Sequence, residues 1–275
     1  MFKKSKYKNL INYVVLTLIG ILVFLPLYWL FITAITPEAE ITRMPPRIFP
    51  QHLTLENFKR VFYAAPISRW FLNSLLITFI VTLYTLFSAS MAAYAFARKS
   101  FPGNKFLFAL VLGSVMIPSQ IVMVPLYLMV RQMNLVDSYW AVILPALPQP
   151  FAIFMLKQFI QELPVDIEEA ARLDGCSDFM IYWRIILPLI KPVLAALAIF
   201  VFITEWNSFI WPLVVLNSPD KFTLSVGLAT LQEQQVRDYG LLMAGATISA
   251  VPIVFIFFSF QRFLMRGLGM GSLRA

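Results

Sequence analysis

The sequence predicts an all-α polytopic membrane protein with six transmembrane helices, and three observations carry that prediction. Hydrophobic residues make up 60% of the 275-residue chain and charged residues only 13%, about half the charged fraction of an ordinary globular domain. The mean hydropathy is +0.77, and a soluble domain so composed would have little polar surface left to cover itself. Several apolar runs reach the roughly 20 residues needed to cross the hydrocarbon of a bilayer. They are apolar all round, whereas strands of a membrane barrel would alternate over about 10 residues.

The spans follow in order. A basic tail, residues 1–12, precedes the membrane domain, 13–263, whose core is expected over about 70–263. The tail resembles the start of a signal peptide, but the apolar run behind it is long and has no small-x-small cleavage site, so it is read as a retained helix. The first span covers about Tyr13 to Thr33, with Pro26 permitting a kink. A polar stretch from Thr36 to Arg69 contains Pro45-Pro46 and Pro50, and Leu53 to Phe58 begins a short surface helix. The second span covers Trp70 to Ala97 and ends on a basic loop. The third covers Phe106 to Val130, with Pro118 and Pro125, and the fourth Ser138 to Phe159, with Pro145, Pro148 and Pro150. These prolines threaten to break both spans into shorter pieces. The fifth covers Pro192 to Leu213 and the sixth Leu241 to Phe263, followed by a tail at 264–275.

The net charge of +8 would point to nucleic acid in a soluble protein. Here the basic residues stand at the ends of apolar runs, so they orient the chain instead and no nucleic-acid partner is implied. Arg98, Lys99 and Lys105, then Arg172, Arg184 and Lys191, then Arg262, Arg266 and Arg274, all fall on the side of the tail lysines. The first long loop is basic too (Arg43, Arg47, Lys59, Arg60, Arg69), but less densely so. Both termini are therefore expected in the cytoplasm of a multi-pass protein of the plasma (inner) membrane. The segment 161–191 lies on the same side. Cys176, the only cysteine, excludes an internal disulfide and a cysteine metal cluster. His52 is an ordinary loop residue. No GxxxxGK[ST] sequence occurs, so any ATP hydrolysis belongs to another chain. No catalytic pair, metal site or cofactor is expected.

The segment 161–191 is the polar break with most information. Pro164 suits the first turn of a helix, and Asp166, Glu168 and Glu169 place acids at its positive end. Ile167, Ala170, Ala171 and Asp174 are three or four apart and share a face. Gly175 suits a helix end that needs positive φ, and Ser177 caps a second helix that runs through Tyr182 and Trp183 toward Pro188. The expected shape is helix, glycine turn, helix. Small Ala171 and Gly175 would let a soluble partner approach closely, and charges around them would set register. An amphipathic loop lying at the headgroups is the plainer alternative.

Glu169-Ala170-Ala171, Gly175 and Ile185-x-Leu187-Pro188 together resemble the EAA motif of ABC importer permeases. The string from Leu163-Pro164 to Asp174-Gly175 is similar to the carbohydrate-uptake branch. So are Phe71-x-Asn73-Ser74, Arg98-Lys99-x-Phe101-Pro102-Gly103 and Trp206-Asn207-x-Phe209-x-Trp211-Pro212. Within that branch the chain is most similar to the MalG-like permease of maltose-type systems. The resemblance implies the type I ABC importer fold, with Glu169, Ala170, Ala171 and Gly175 on a coupling helix docked to an ATPase, flanked by Arg172 and Asp174. It implies as partners a second homologous permease, a cytoplasmic ATPase dimer that holds ATP and Mg, an extracytoplasmic solute-binding protein, a carbohydrate substrate and membrane lipid. The tail Gly267 to Ala275 would reach the ATPase interface, and the loop Asn217 to Tyr239 would meet the binding protein.

Glu205 is the acidic residue deepest in an apolar run and must face protein, water or a polar partner. With Trp206, Asn207, Trp211 and Asn73 it forms a candidate substrate path, since hydroxyls and ring faces of a sugar need polar groups and aromatics. Helix packing is the alternative for Asn73 and Glu205, and interface anchoring for Trp211. Two other functions compete with an importer: an ion-coupled secondary transporter, for which no repeat is visible, and a membrane scaffold that docks a cytoplasmic partner.

Overall fold

A computed structural model describes residues 3–43, 48–234 and 238–269, with side chains over 11–43, 48–234 and 238–260. Pro45-Pro46, part of the 217–239 loop and tail residues 270–275 lie outside the described residues. Among the described residues every regular element is helical. Four helices are long and apolar enough to cross a membrane: Ile11–Ala34, Ile67–Arg98, Tyr139–Glu162 and Tyr239–Phe260. Two further stretches are bent pairs, Asn104–Val115 with Ser119–Gln132 at 101° and Asp178–Leu189 with Lys191–Trp206 at 75°.

The sequence predicts six spans, with the prolines of the third and fourth threatening to break them; among the described residues the structure has four continuous spans, or up to six if each bent pair is one. The third breaks at Pro118, which adopts an extended ψ of 129°, because proline removes a helical hydrogen bond and clashes with the preceding turn. Pro125 is accommodated within Ser119–Gln132. The fourth is jointed between Tyr139–Ala146 and Pro150–Glu162, with Pro148 and Pro150 at the joint. The expected fifth helix stops at Trp206 rather than Leu213, and a separate short helix follows at Ile210–Val215.

The chain folds as two compact units. In the first, Met1–Ser68 with Gly227–Val251, the end of helix Lys3–Ala34 is tied down by a buried asparagine. Asn57 Nδ2 donates to the Ala34 and Thr36 carbonyls at 3.0 and 2.8 Å, and so satisfies acceptors that a helix end leaves unpaired. Asn57 belongs to Glu56–Ala64, the surface helix anticipated from Leu53 to Phe58. A Cβ on Gly240 would sit 2.8 Å from the Asn57 side chain, so glycine permits that approach. The Gly240 N–H donates to Glu38 Oε2 at 2.9 Å and the Leu241 N–H to Asp238 Oδ1 at 3.0 Å. Both acids therefore stand at the positive start of helix Tyr239–Gly269. His52 Nδ1 lies 2.6 Å from Glu40 Oε1.

The second unit, Arg69–Val226 with Pro252–Ala275, holds a contiguous core that includes Ile77, Val81, Leu156, Ile160, Ile186 and Leu197. The start of helix Ile67–Arg98 is pinned to residues 219–224. Trp70 Nε1 donates to the Pro219 carbonyl at 2.7 Å. Asn73 Nδ2 donates to the Asp220 and Phe222 carbonyls at 3.0 and 2.9 Å, and Ser74 Oγ accepts from the Leu224 N–H at 2.8 Å. Asp137 gathers the neighbouring loop: its carboxylate accepts from the Asn217 and Ser218 N–H groups, the Ser218 hydroxyl and Lys221 Nζ.

Candidate functional site

The polar segment folds as helix, glycine turn, helix. Its first helix is Asp166–Leu173, with Asp166, Glu168 and Glu169 in the first turn. Pro164 stands before the helix rather than within it, and the Val165 carbonyl accepts the Glu168 and Glu169 N–H groups at 2.9 and 3.1 Å. Gly175 has φ +81°. Its N–H donates to the Arg172 carbonyl and the Cys176 N–H to the Ala171 carbonyl, both at 3.0 Å. That pair of bonds is the Schellman helix stop, which places a left-handed residue, best glycine, just past the helix. Ser177 Oγ then accepts the Met180 N–H at 3.3 Å and caps Asp178–Ile181. A π-helical turn, Tyr182–Ile186, follows and turns Tyr182 and Ile186 inward.

Burial divides the residues of the first helix. Glu169, Ala170, Arg172, Asp174 and Gly175 are exposed, and Leu173 is 90% exposed. Glu168 and Ala171 are buried, Glu168 at 1%. The inner face is thus Glu168 with Ala171, one turn apart; of the four residues expected to share a face, Ile167, Ala170 and Asp174 are exposed and Ala171 is buried. The small side chain of Ala171 packs against this chain's own core. At Gly175 the backbone angle, not lack of space, demands glycine, since an added Cβ would meet nothing within 4 Å.

Glu168, read from the sequence only as a first-turn acid, has a buried partner that sequence reasoning missed. Its Oε1 lies 2.6 Å from Arg98 Nε, with both side chains under 10% exposed. Neither atom has a hydrogen bond of good geometry, so the contact is chiefly Coulombic. Arg98 Nη2 donates to the Leu163 carbonyl at 2.6 Å. Arg172 Nη2 stands 3.8 Å from Glu168 Oε2, and Lys99 pairs with Asp178. The basic Arg98-Lys99 pair was the available signal, but nothing local links it to an acid 70 positions on.

The five residues of the expected path have separate surroundings. Trp206 is buried at 2% and stacks on Phe202, with ring centroids 5.7 Å apart and planes at 11°, while Phe71 meets it edge-on at 5.4 Å. Asn73 binds the Asp220 and Phe222 carbonyls and accepts from Tyr139 Oη at 2.7 Å. Trp211 Nε1 donates to the Ala141 carbonyl at 2.9 Å. All three side chains are engaged with rings or polar groups of neighbouring helices and loops. Asn207 is exposed and donates to the Ile203 carbonyl at 2.8 Å. Glu205 accepts from Gln149 Nε2 at 3.2 Å, and Gln149 also lines a cleft of about 380 Å³ with Tyr84, Ser88, Leu144 and Leu147.

Comparison with known proteins bears on this geometry. Residues 85–269 match the family described as binding-protein-dependent transport system inner membrane component. The arabinooligosaccharides transport system permease AraQ of Halalkalibacterium halodurans is 41% identical over 259 residues, which cover 93% of each chain. The diacetylchitobiose uptake system permease NgcG of Streptomyces coelicolor is 31% identical, over 96% of this chain and 88% of that one. A chain in the crystal structure of a bacterial ABC transporter involved in the import of the acidic polysaccharide alginate shares the fold. It has a TM-score of 0.83 and 20% identity, over 95% of this chain and 98% of that one. The chain therefore belongs to the family of binding-protein-dependent transport system inner membrane components.

Proposed function

We propose that this chain is a permease subunit of an ATP-driven, binding-protein-dependent importer of an oligosaccharide, and the MalG-like member of a permease pair. The observation that carries the mechanism is the exposed edge of Asp166–Leu173, where Leu173 stands 90% exposed beside Glu169, Ala170 and Arg172. A large apolar side chain at a helix tip, ringed by charges, suits a pocket on a soluble partner. That partner is an ATPase dimer, which hydrolyses ATP with its own Mg; this chain performs no covalent chemistry. Closure of the ATPases moves the helix, and the spans shift between inward-open and outward-open states. An extracytoplasmic solute-binding protein delivers the cargo.

The names of the relatives support a sugar: arabinooligosaccharides and diacetylchitobiose. The fold alone does not, since a methionine ABC transporter chain also shares it at a TM-score of 0.56. Each bent pair counted as one crossing gives six spans, and the basic residues on the tail side support cytoplasmic termini. Of the five path candidates, Glu205 is the one we assign to cargo, supported by its bond from Gln149, which lines the neighbouring cleft. The test is two measurements on one strain. Deletion of the chain abolishes uptake of arabino-oligosaccharides, and a tagged chain co-purifies an ATPase that Leu173→Asp releases. Retention of the ATPase by Leu173→Asp would remove the exposed edge from the mechanism.

A further inference from the structure

The basic motif that closes the second span, Arg98-Lys99-x-Phe101-Pro102-Gly103, has no task in the function just described, and the geometry supplies one. Ser90, Tyr94 and Arg98 are spaced four residues apart, so they share one face of helix Ile67–Arg98. Ser90 Oγ lies 2.7 Å from Tyr182 Oη. The Tyr94 ring centroid is 5.7 Å from that of Tyr182, and the Tyr94 hydroxyl donates to Glu168 Oε2 at 3.5 Å. Arg98 holds Glu168 and the Leu163 carbonyl, and Lys99 pairs with Asp178. Successive turns of one helix thus grip both helices of the polar segment. At the centre is an ion pair whose side chains are 8% and 2% exposed.

We propose that the Arg98–Glu168 pair is a positioning clamp that makes the end of helix Ile67–Arg98 and the segment 163–189 move as one body. A push on the segment then reaches the second span directly. The alternative route is the covalent one, into Lys191–Trp206 across a 75° bend. The cosine of 75° is about 0.26, so only about a quarter of an axial push along Asp178–Leu189 projects along Lys191–Trp206. Separation of a buried ion pair, by contrast, leaves two uncompensated charges in a low dielectric, so the clamp is the stiffer path. Arg172, 3.8 Å from Glu168 on the exposed side, places a second cation beside the same carboxylate.

This inference rests on the segment being the ATPase contact, and the experiment separates the two. The whole transporter is assembled in lipid nanodiscs with cysteine-free partner subunits. Spin labels are placed at the native Cys176, in the glycine turn, and at Ser100→Cys, just past the clamp. Inter-label distances are recorded without nucleotide and with ATP and vanadate, and co-purified ATPase is quantified on the same samples. The unsubstituted clamp is expected to give one distance population, unchanged by nucleotide. Arg98→Ala and Glu168→Ala are expected to give a population that shifts or splits with nucleotide while the ATPase stays bound. The exchange Arg98→Glu with Glu168→Arg restores the single population. A nucleotide-dependent distance in the unsubstituted clamp overturns the proposal, as does an unchanged distance in both single variants. If the single variants do not assemble, the unsubstituted and exchanged pairs still decide it. Absence of ATPase from the unsubstituted complex strikes the docking reading itself, and the clamp as a transmitter falls with it.

Discussion

At the first turns of helix Ile67–Arg98 the buried anchors are neutral, with a single exposed ion pair, Arg69–Asp220 at 3.3 Å, beside them; at its last turn the buried anchor is charged. Trp70, Asn73 and Ser74 bond to backbone groups of residues 219–224. Such bonds are directional, indifferent to pH across the physiological range and little screened by salt. Arg98 and Lys99 instead meet the carboxylates of Glu168 and Asp178. Charge pairs tolerate small rotations because Coulomb energy falls slowly with distance. The difference teaches that one end is built to fix position and the other to keep hold of a partner through a displacement.

The hardest blow to that contrast is the loss of one buried charge. Glu168→Ala leaves Arg98 buried and unpaired and is expected to destabilise by about 3–5 kcal/mol, read as thermal unfolding of the nanodisc complex; a change below about 1 kcal/mol would show that Arg98 reaches water instead. Next comes the neutral end. Asn73→Ala removes two donated bonds and the acceptor for Tyr139, for an expected cost of about 1–3 kcal/mol. That cost is the same at low and high salt, and a salt-dependent loss would break the comparison.

Asp137 is the better-buried charged group near the neutral end. Burial opposes its charge, but bonds from the Ser218 side chain and backbone, from Lys221 and from Asn217 outweigh it and hold the carboxyl well below the ordinary carboxylate range. A carboxyl depressed in the folded state stabilises above its unfolded pKa of about 3.9 and loses that contribution as pH falls through the folded value. The native protein is therefore expected to lose stability below about pH 4, and Asp137→Asn to be weaker at pH 7 with a flatter acid limb. Asparagine tolerates the φ of 60° at this position, so the variant isolates charge. A steep acid limb retained in Asp137→Asn would assign that loss to other carboxylates.

Smaller effects sharpen the picture. Gly175→Ala forces a Cβ into the left-handed region at about 1–2 kcal/mol, with no clash to add, and Gly175→Asn is milder; equal losses would show that space rather than φ sets the residue. Lys99→Ala, at a partly exposed pair, is expected to cost about 0.2–1 kcal/mol and less in salt.

What was legible in the sequence was local. The Gly175 turn and the Ser177 cap lie within a few residues of the groups they satisfy, so residue type and spacing sufficed. Pro118 marked its break for the same reason. The Arg98–Glu168 pair was not legible, because only the folded chain brings those residues together and an acid in a first turn already had a sufficient explanation. The size of Ala171 left its side open: a small residue permits close approach from either side of a helix, and here its side chain packs on the chain's own core. For Trp206, Trp211 and Asn73 residue type does not separate two tasks, since the groups that bind a sugar also bind backbone carbonyls and neighbouring rings.

The Asp137 hub also sets a timetable. Its partners Ser218 and Lys221 lie 81 and 84 residues further along the chain. At about 5–20 residues per second of synthesis, about 4 to 17 seconds pass between the making of the loop and of the groups that close it. Through that interval the loop waits with its carboxylate unanswered while the intervening helices are made and inserted. This latch is fastened late, after the strip of chain it holds has been threaded into place.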